Sequence, residues 1–147
     1  MNKTLIVNRE LCTQLLSIEE CIPAMRDTLI AAAQGEIKML QRQMIPHQSG
    51  NMLALMPASL LTKNVTGSKV IIFPGPKARQ ENTNQGVVPL FDTETGALLA
   101  IVDAELITVV RTAATSAAAT DVLARKDAAS VAILGAGNQG KAHAEAM

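Results

Sequence analysis

Leu5-Ile6-Val7 is a short apolar run of strand type, and the spacing then turns helical. Ser17-Ile18-Glu19-Glu20 reads as a capping box, with Ser at the N-cap and Glu three positions on. Cys21, Ile22, Met25, Leu29, Ile30 and Ala33 follow at near-helical spacing, and Gly35 stops the helix. Pro23 is expected in its first turn, where a missing N–H costs little. From Lys38 to Val88 the pattern shortens to extended pieces. Lys38 to Ile45, Asn51 to Met56 and Gly67 to Phe73 are strand candidates, and Lys77 to Gly86 is a polar loop. Val87 to Asp92 and Ala97 to Val102 flank Thr93-Glu94-Thr95-Gly96, which predicts a hairpin with glycine in the turn. Asp103 then caps a long helix, roughly 104–124, whose middle is built of small residues.

Near the end, Ser130-Val131-Ala132-Ile133-Leu134 runs into Gly135-Ala136-Gly137-Asn138-Gln139-Gly140, and a helix starts at Lys141. Strand, G-x-G-x-x-G and helix in that order open a dinucleotide-binding unit. Gly135 permits the tight turn, Gly137 lets backbone approach a pyrophosphate, and Gly140 allows close helix packing. The backbone N–H groups of Asn138 and Gln139 would face the phosphates. The acidic residue expected about 20 positions further on, for the ribose hydroxyl, would fall beyond Met147.

Composition narrows the function classes. The 147 residues are 48% hydrophobic, enough for a packed core. Only Phe73 and Phe91 are aromatic, and thirteen basic residues balance thirteen acidic ones. Neither base stacking nor a basic footprint supports a nucleic-acid partner or an anionic membrane. Cys12 and Cys21 are not in C-x-x-C spacing and there are two His, so a metal site is not expected. No signal peptide is evident and no segment approaches about 20 apolar residues, which points to a soluble, cytoplasmic protein.

Several segments together resemble the ornithine cyclodeaminase / mu-crystallin family. They are Gln41-Arg42 with Asn51-Met52-Leu53-Ala54-Leu55-Met56-Pro57-Ala58, Gly67-Ser68-Lys69-Val70, and Leu90-Phe91-Asp92-Thr93-Glu94-Thr95-Gly96. Ile107-Thr108-Val109-Val110-Arg111-Thr112-Ala113-Ala114 and the glycine motif complete the series. The resemblance implies an α/β chain: an N-terminal α+β substrate and dimerisation domain (1–103), a linking helix (104–128), and the first β-turn-α of a Rossmann, doubly wound domain (129–147). It implies Arg42, Lys69 and Arg111 as the cations that hold a substrate carboxylate, for which fixed arginines are the best geometric match. Thr83 and Thr112 are implied as cofactor contacts beside Gly135, Gly137, Asn138, Gln139 and Gly140. The resemblance implies NAD or NADP as cofactor, with NAD favoured, and a second copy as partner in a homodimer.

The implied chemistry is hydride transfer at the amino-bearing carbon of an amino acid or cyclic imino acid. Conversion of ornithine to proline and ammonia leads; amino-acid dehydrogenation, imine reduction, or a non-catalytic crystallin-like module are the alternatives. The family's catalytic aspartate is expected beyond Met147, so no catalytic residue is assigned and the 147 residues alone are expected to be inactive.

Overall fold

A computed structural model describes residues 3–78 and 84–147. The elements run β1 (Leu5–Val7), α1 (Arg9–Leu15), α2 (Ile18–Ala33), β2 (Ile37–Met39), β3 (Gln43–Pro46) and β4 (Met52–Leu60). A single 3-10 turn leads to β5 (Val65–Phe73), β6 (Gln85–Asp92), β7 (Leu98–Asp103), α3 (Ala104–Leu123) and α4 (Asn138–Ala146). The strands form one sheet in the order β1-β7-β6-β5-β4-β2, with β3 also on β4. β4 to β7 make an antiparallel meander, while β1 lies parallel to β7.

The strand predicted over Lys38 to Ile45 is two strands rather than one. β2 pairs with Ala58 to Leu60 and β3 with Met52 to Leu55, so they lie end to end along the same edge of β4. Leu40, Gln41 and Arg42 form the step between them. Arg42 therefore precedes a strand instead of lying on one.

Local signals explain the helices. Ser17 Oγ accepts from the Glu20 N–H, as a capping box requires. Pro23 sits in the second turn of α2, not the first, so the helix forgoes one internal hydrogen bond there. α1, not anticipated from the pattern, is capped by the Asn8 side chain accepting from Leu11 N–H. Asp103 caps α3 in the same way through Leu106.

α3 is the centre of the molecule. Ala113, Ala114, Ala117 and Ala118 are buried along it, and their small size lets α2 and α4 lie close. It passes over β5 and β6, which puts all four helices on one face of the sheet. By length and composition α3 could cross a membrane, contrary to the expectation that no segment comes near that limit. Five of its alanines are buried and it contacts β5 and β6.

Lys69 reaches α3, so alternate residues Gly67, Ile71 and Phe73 share its face and Ser68, Val70 and Ile72 take the other. On that second face Leu53, Leu55, Val70, Ile72, Val87, Pro89 and Ile101 are brought together by register. Among the described residues no helix covers it.

Val131 to Leu134 do not form the predicted strand. A strand needs a neighbour to satisfy its N–H and C=O groups, and this segment has none among the described residues. It is exposed instead, with Leu134 96% accessible.

Candidate functional site

The helix face of the sheet places three cations in one region. Lys69 projects from the middle of β5, Arg111 comes from the start of the third turn of α3, and Arg42 stands at the entry to β3. Their charges act on one another. Burial together with Arg111 and Arg42 pushes the Lys69 ammonium down to about 8. Burial and Arg42 likewise lower the Arg111 pKa. Lys69 and Arg111 are half-buried, whereas Arg42 is exposed. Among the described residues the ion pairs form elsewhere, Arg9 with Glu105, Arg26 with Asp121 and Arg125 with Asp127, and include none of the three cations. Concentrated, partly desolvated positive charge of this kind attracts small anions, and a carboxylate matches a guanidinium in shape.

Lys69 is held by a specific contact. Its Nζ donates to Thr108 Oγ1 at 3.1 Å, and that hydroxyl donates to the Ala104 carbonyl at 2.6 Å. The same back-bonding recurs along α3: Thr112 donates to Thr108 O, Thr115 to Arg111 O and Ser116 to Thr112 O. Hydroxyls satisfied this way can be half-buried without an unpaired polar atom.

α4 brings the glycine turn to the same helix. Gly135 has φ +110, a conformation that L side chains avoid. A Cβ on Gly140 would lie 2.0 Å from the Gly135 carbonyl oxygen, so only glycine lets α4 start this close to the turn. A Cβ on Gly137 would meet open space, and Gly137 caps α4 with no side-chain hydrogen bond. The first N–H groups of α4 thus lie behind an uncrowded backbone, which fits a dinucleotide pyrophosphate. Asn138 and Gln139 are exposed at this end. A cavity of about 220 Å³ lies between Asn84, Glu105, Thr108, Val109, Asn138 and Gln139. It adjoins both Thr108, the Lys69 partner, and the start of α4. A larger opening, about 720 Å³, lies by Arg26, Asp121 and Met147 and touches none of the three cations.

Of the implied cofactor contacts, Thr112 is half-buried with its hydroxyl hydrogen committed to Thr108 O. Thr83 lies outside the described residues. Two contacts were not visible in the sequence. His143, one turn into α4, pairs Nδ1 with Gln139 O and Nε2 with Ser116 Oγ, tying α4 to α3. Thr108 was part of a motif but carried no role; its position one turn before Thr112 and three residues before Arg111 was the available signal.

The profile of the ornithine cyclodeaminase/mu-crystallin family matches residues 2–147. The chain is 30% identical over 134 residues to Delta(1)-pyrroline-2-carboxylate reductase 2 of Burkholderia ambifaria, covering 90% of this chain and 42% of that one. Among solved structures it is similar to the Thermococcus litoralis Delta(1)-pyrroline-2-carboxylate reductase in complex with NADH and L-proline. The TM-score is 0.90 at 28% identity, over 97% of this chain and 45% of that one. It is also similar to an archaeal alanine dehydrogenase dimer with bound NAD, with TM-score 0.89, 29% identity, and coverage of 97% and 44%. The chain thus spans less than half the length of these relatives. Fold, ordered motifs and profile agree: the chain belongs to the ornithine cyclodeaminase/mu-crystallin family.

Proposed function

We propose that this chain is the substrate-binding part and first phosphate turn of an NAD(P)-dependent enzyme acting on a cyclic imino acid or an amino acid. The observation that carries this reading is the convergence of Arg42, Lys69 and Arg111 beside the glycine turn. The three cations bind the substrate carboxylate, which fixes the adjacent carbon in front of the dinucleotide site. A bound nicotinamide supplies or accepts the hydride at that carbon. Gly135, Gly137, Asn138, Gln139 and Gly140 hold the pyrophosphate, with Thr112 and Thr83 nearby and NAD preferred over NADP. Residues 1–103 form the substrate and dimerisation domain, 104–128 the linking helix, and 129–147 the start of the Rossmann domain.

Imine reduction is the leading reaction, because the Burkholderia and Thermococcus relatives bear that activity in their names. Conversion of ornithine to proline and ammonia is the second reading, favoured by the family profile and using the same carboxylate clamp. The uncovered apolar sheet face, with Val70, Ile72, Val87 and Ile101, is where a second copy docks. The archaeal relative is a dimer, which supports pairing with a second copy. The free, buried cysteines suit a reducing cytoplasm.

The test is an assay of the protein as its native gene encodes it. Oxidation of NADH or NADPH by Delta(1)-pyrroline-2-carboxylate at 340 nm is expected. Ammonia release from L-ornithine without net cofactor change would move the assignment to a cyclodeaminase. Neither activity, with a folded dimer, would leave a binding module. The 147 residues alone are expected to turn over neither substrate.

A further inference from the structure

We infer that Thr108 is a positioning residue that aims the Lys69 ammonium into the carboxylate site. Four contacts meet at this residue. Its hydroxyl hydrogen goes to the Ala104 carbonyl at 2.6 Å, which turns the oxygen lone pairs outward. Lys69 Nζ donates to that oxygen at 3.1 Å, across from β5 to α3. The Thr108 carbonyl accepts from Thr112 Oγ1 at 2.6 Å and faces the Gln139 side-chain amide at 3.4 Å. The hydroxyl rotor is therefore fixed by its own helix, and the fixed acceptor in turn fixes the end of a long, flexible side chain. Lysine otherwise loses substantial rotamer freedom when it binds an anion, and an ammonium already held has less to lose.

An acceptor at this point also favours the charged amine against the two arginines and the burial that oppose it. Among the described residues the charged groups acting on Lys69 are Arg111 on α3 and Arg42 before β3. Glu105, one turn before Thr108, is occupied by Arg9 at 2.8 Å. Thr108 also lines the cavity that opens to Asn138 and Gln139. One residue thus couples the substrate cation to the wall of the dinucleotide site.

The inference rests on the carboxylate-site reading, and its test separates the two. Thr108→Val removes the hydroxyl with little change of volume, Thr108→Ala removes it with less crowding, and Thr108→Ser keeps it. The Lys69 titration midpoint is read by competitive acetylation across pH, followed by mass analysis of the Lys69 peptide. Steady-state kinetics on Delta(1)-pyrroline-2-carboxylate supply the second readout. In Thr108→Val and Thr108→Ala the Lys69 midpoint is expected to fall. KM is expected to rise about five- to tenfold, the size of one hydrogen bond, with a smaller change in kcat. Thr108→Ser should restore both. A wild-type Lys69 midpoint and KM in folded Val or Ala variants would overturn the inference. Should the protein reduce no imino acid, the titration midpoint alone still decides the role of Thr108, and only the reaction assignment falls.

Discussion

The affinity of the site for carboxylates is expected to fall as pH rises through about 8. The perturbation is the loss of one of three charges. Lys69 titrates at about 8 because it is partly buried and faces Arg111 and Arg42. At pH 7 roughly nine tenths of the molecules carry the ammonium, and at pH 9 about one tenth do. If the anion binds the fully charged site, its apparent Kd rises about tenfold between those pH values. The assay is calorimetric titration with cyclopentanecarboxylate, a ring carboxylate with no titratable nitrogen, so the ligand contributes no pH dependence of its own. Binding should also take up protons near pH 8. Lys69→Gln should bind weakly with no break in this range. The same shift acts on folding with a definite sign. The unfolded lysine titrates near 10.5 and the folded one near 8, so between these values the unfolded state binds more protons and stability rises with pH. The full shift would amount to about 3 kcal/mol, and solvent at this half-buried site reduces it to about 1–2 kcal/mol. An affinity flat from pH 7 to 9.5, or a break that survives in Lys69→Gln, would refute the reasoning.

The other tests touch different levels of the structure. Arg111→Ala should raise the KM for imino acid about 100-fold, as loss of a charge-assisted contact of roughly 3 kcal/mol implies, and steady-state kinetics check it. Gly140→Ala places a Cβ 2.0 Å from the Gly135 carbonyl oxygen, so the turn must open and NADH binding, followed by fluorescence, should be lost. Ala114→Leu overfills the fully buried seam of α3 and should cost about 1–3 kcal/mol in denaturant unfolding. Ser17→Ala removes the α2 cap seen at Glu20 N–H and should cost about 1 kcal/mol in the same assay, with the Lys69 titration unchanged.

What could be read from the sequence follows from the range of the interactions involved. The α2 cap at Ser17, the hairpin at Gly96 and the α3 cap at Asp103 are each fixed within four residues, and each forms as expected. α1 has the same kind of cap at Asn8, but its seven residues carry too short an apolar period to stand out. The division of Lys38 to Ile45 into β2 and β3 depends on the length of β4, which nothing in that segment encodes. The glycine spacing predicted α4 and its turn, yet the strand before it needs partners and is not formed. The site shows the same division. That Arg42, Lys69 and Arg111 belong together came from motif resemblance, because 27 and 42 residues separate neighbours in the chain and only the sheet brings them to one face. The Lys69 to Thr108 contact spans 39 residues and depends on how α3 crosses β5. Both residues lie in family-like motifs, but the contact is a property of the crossing. The helix hydroxyl to which the Lys69 ammonium donates gives that side chain one direction, and periodicity in the sequence carries no trace of it.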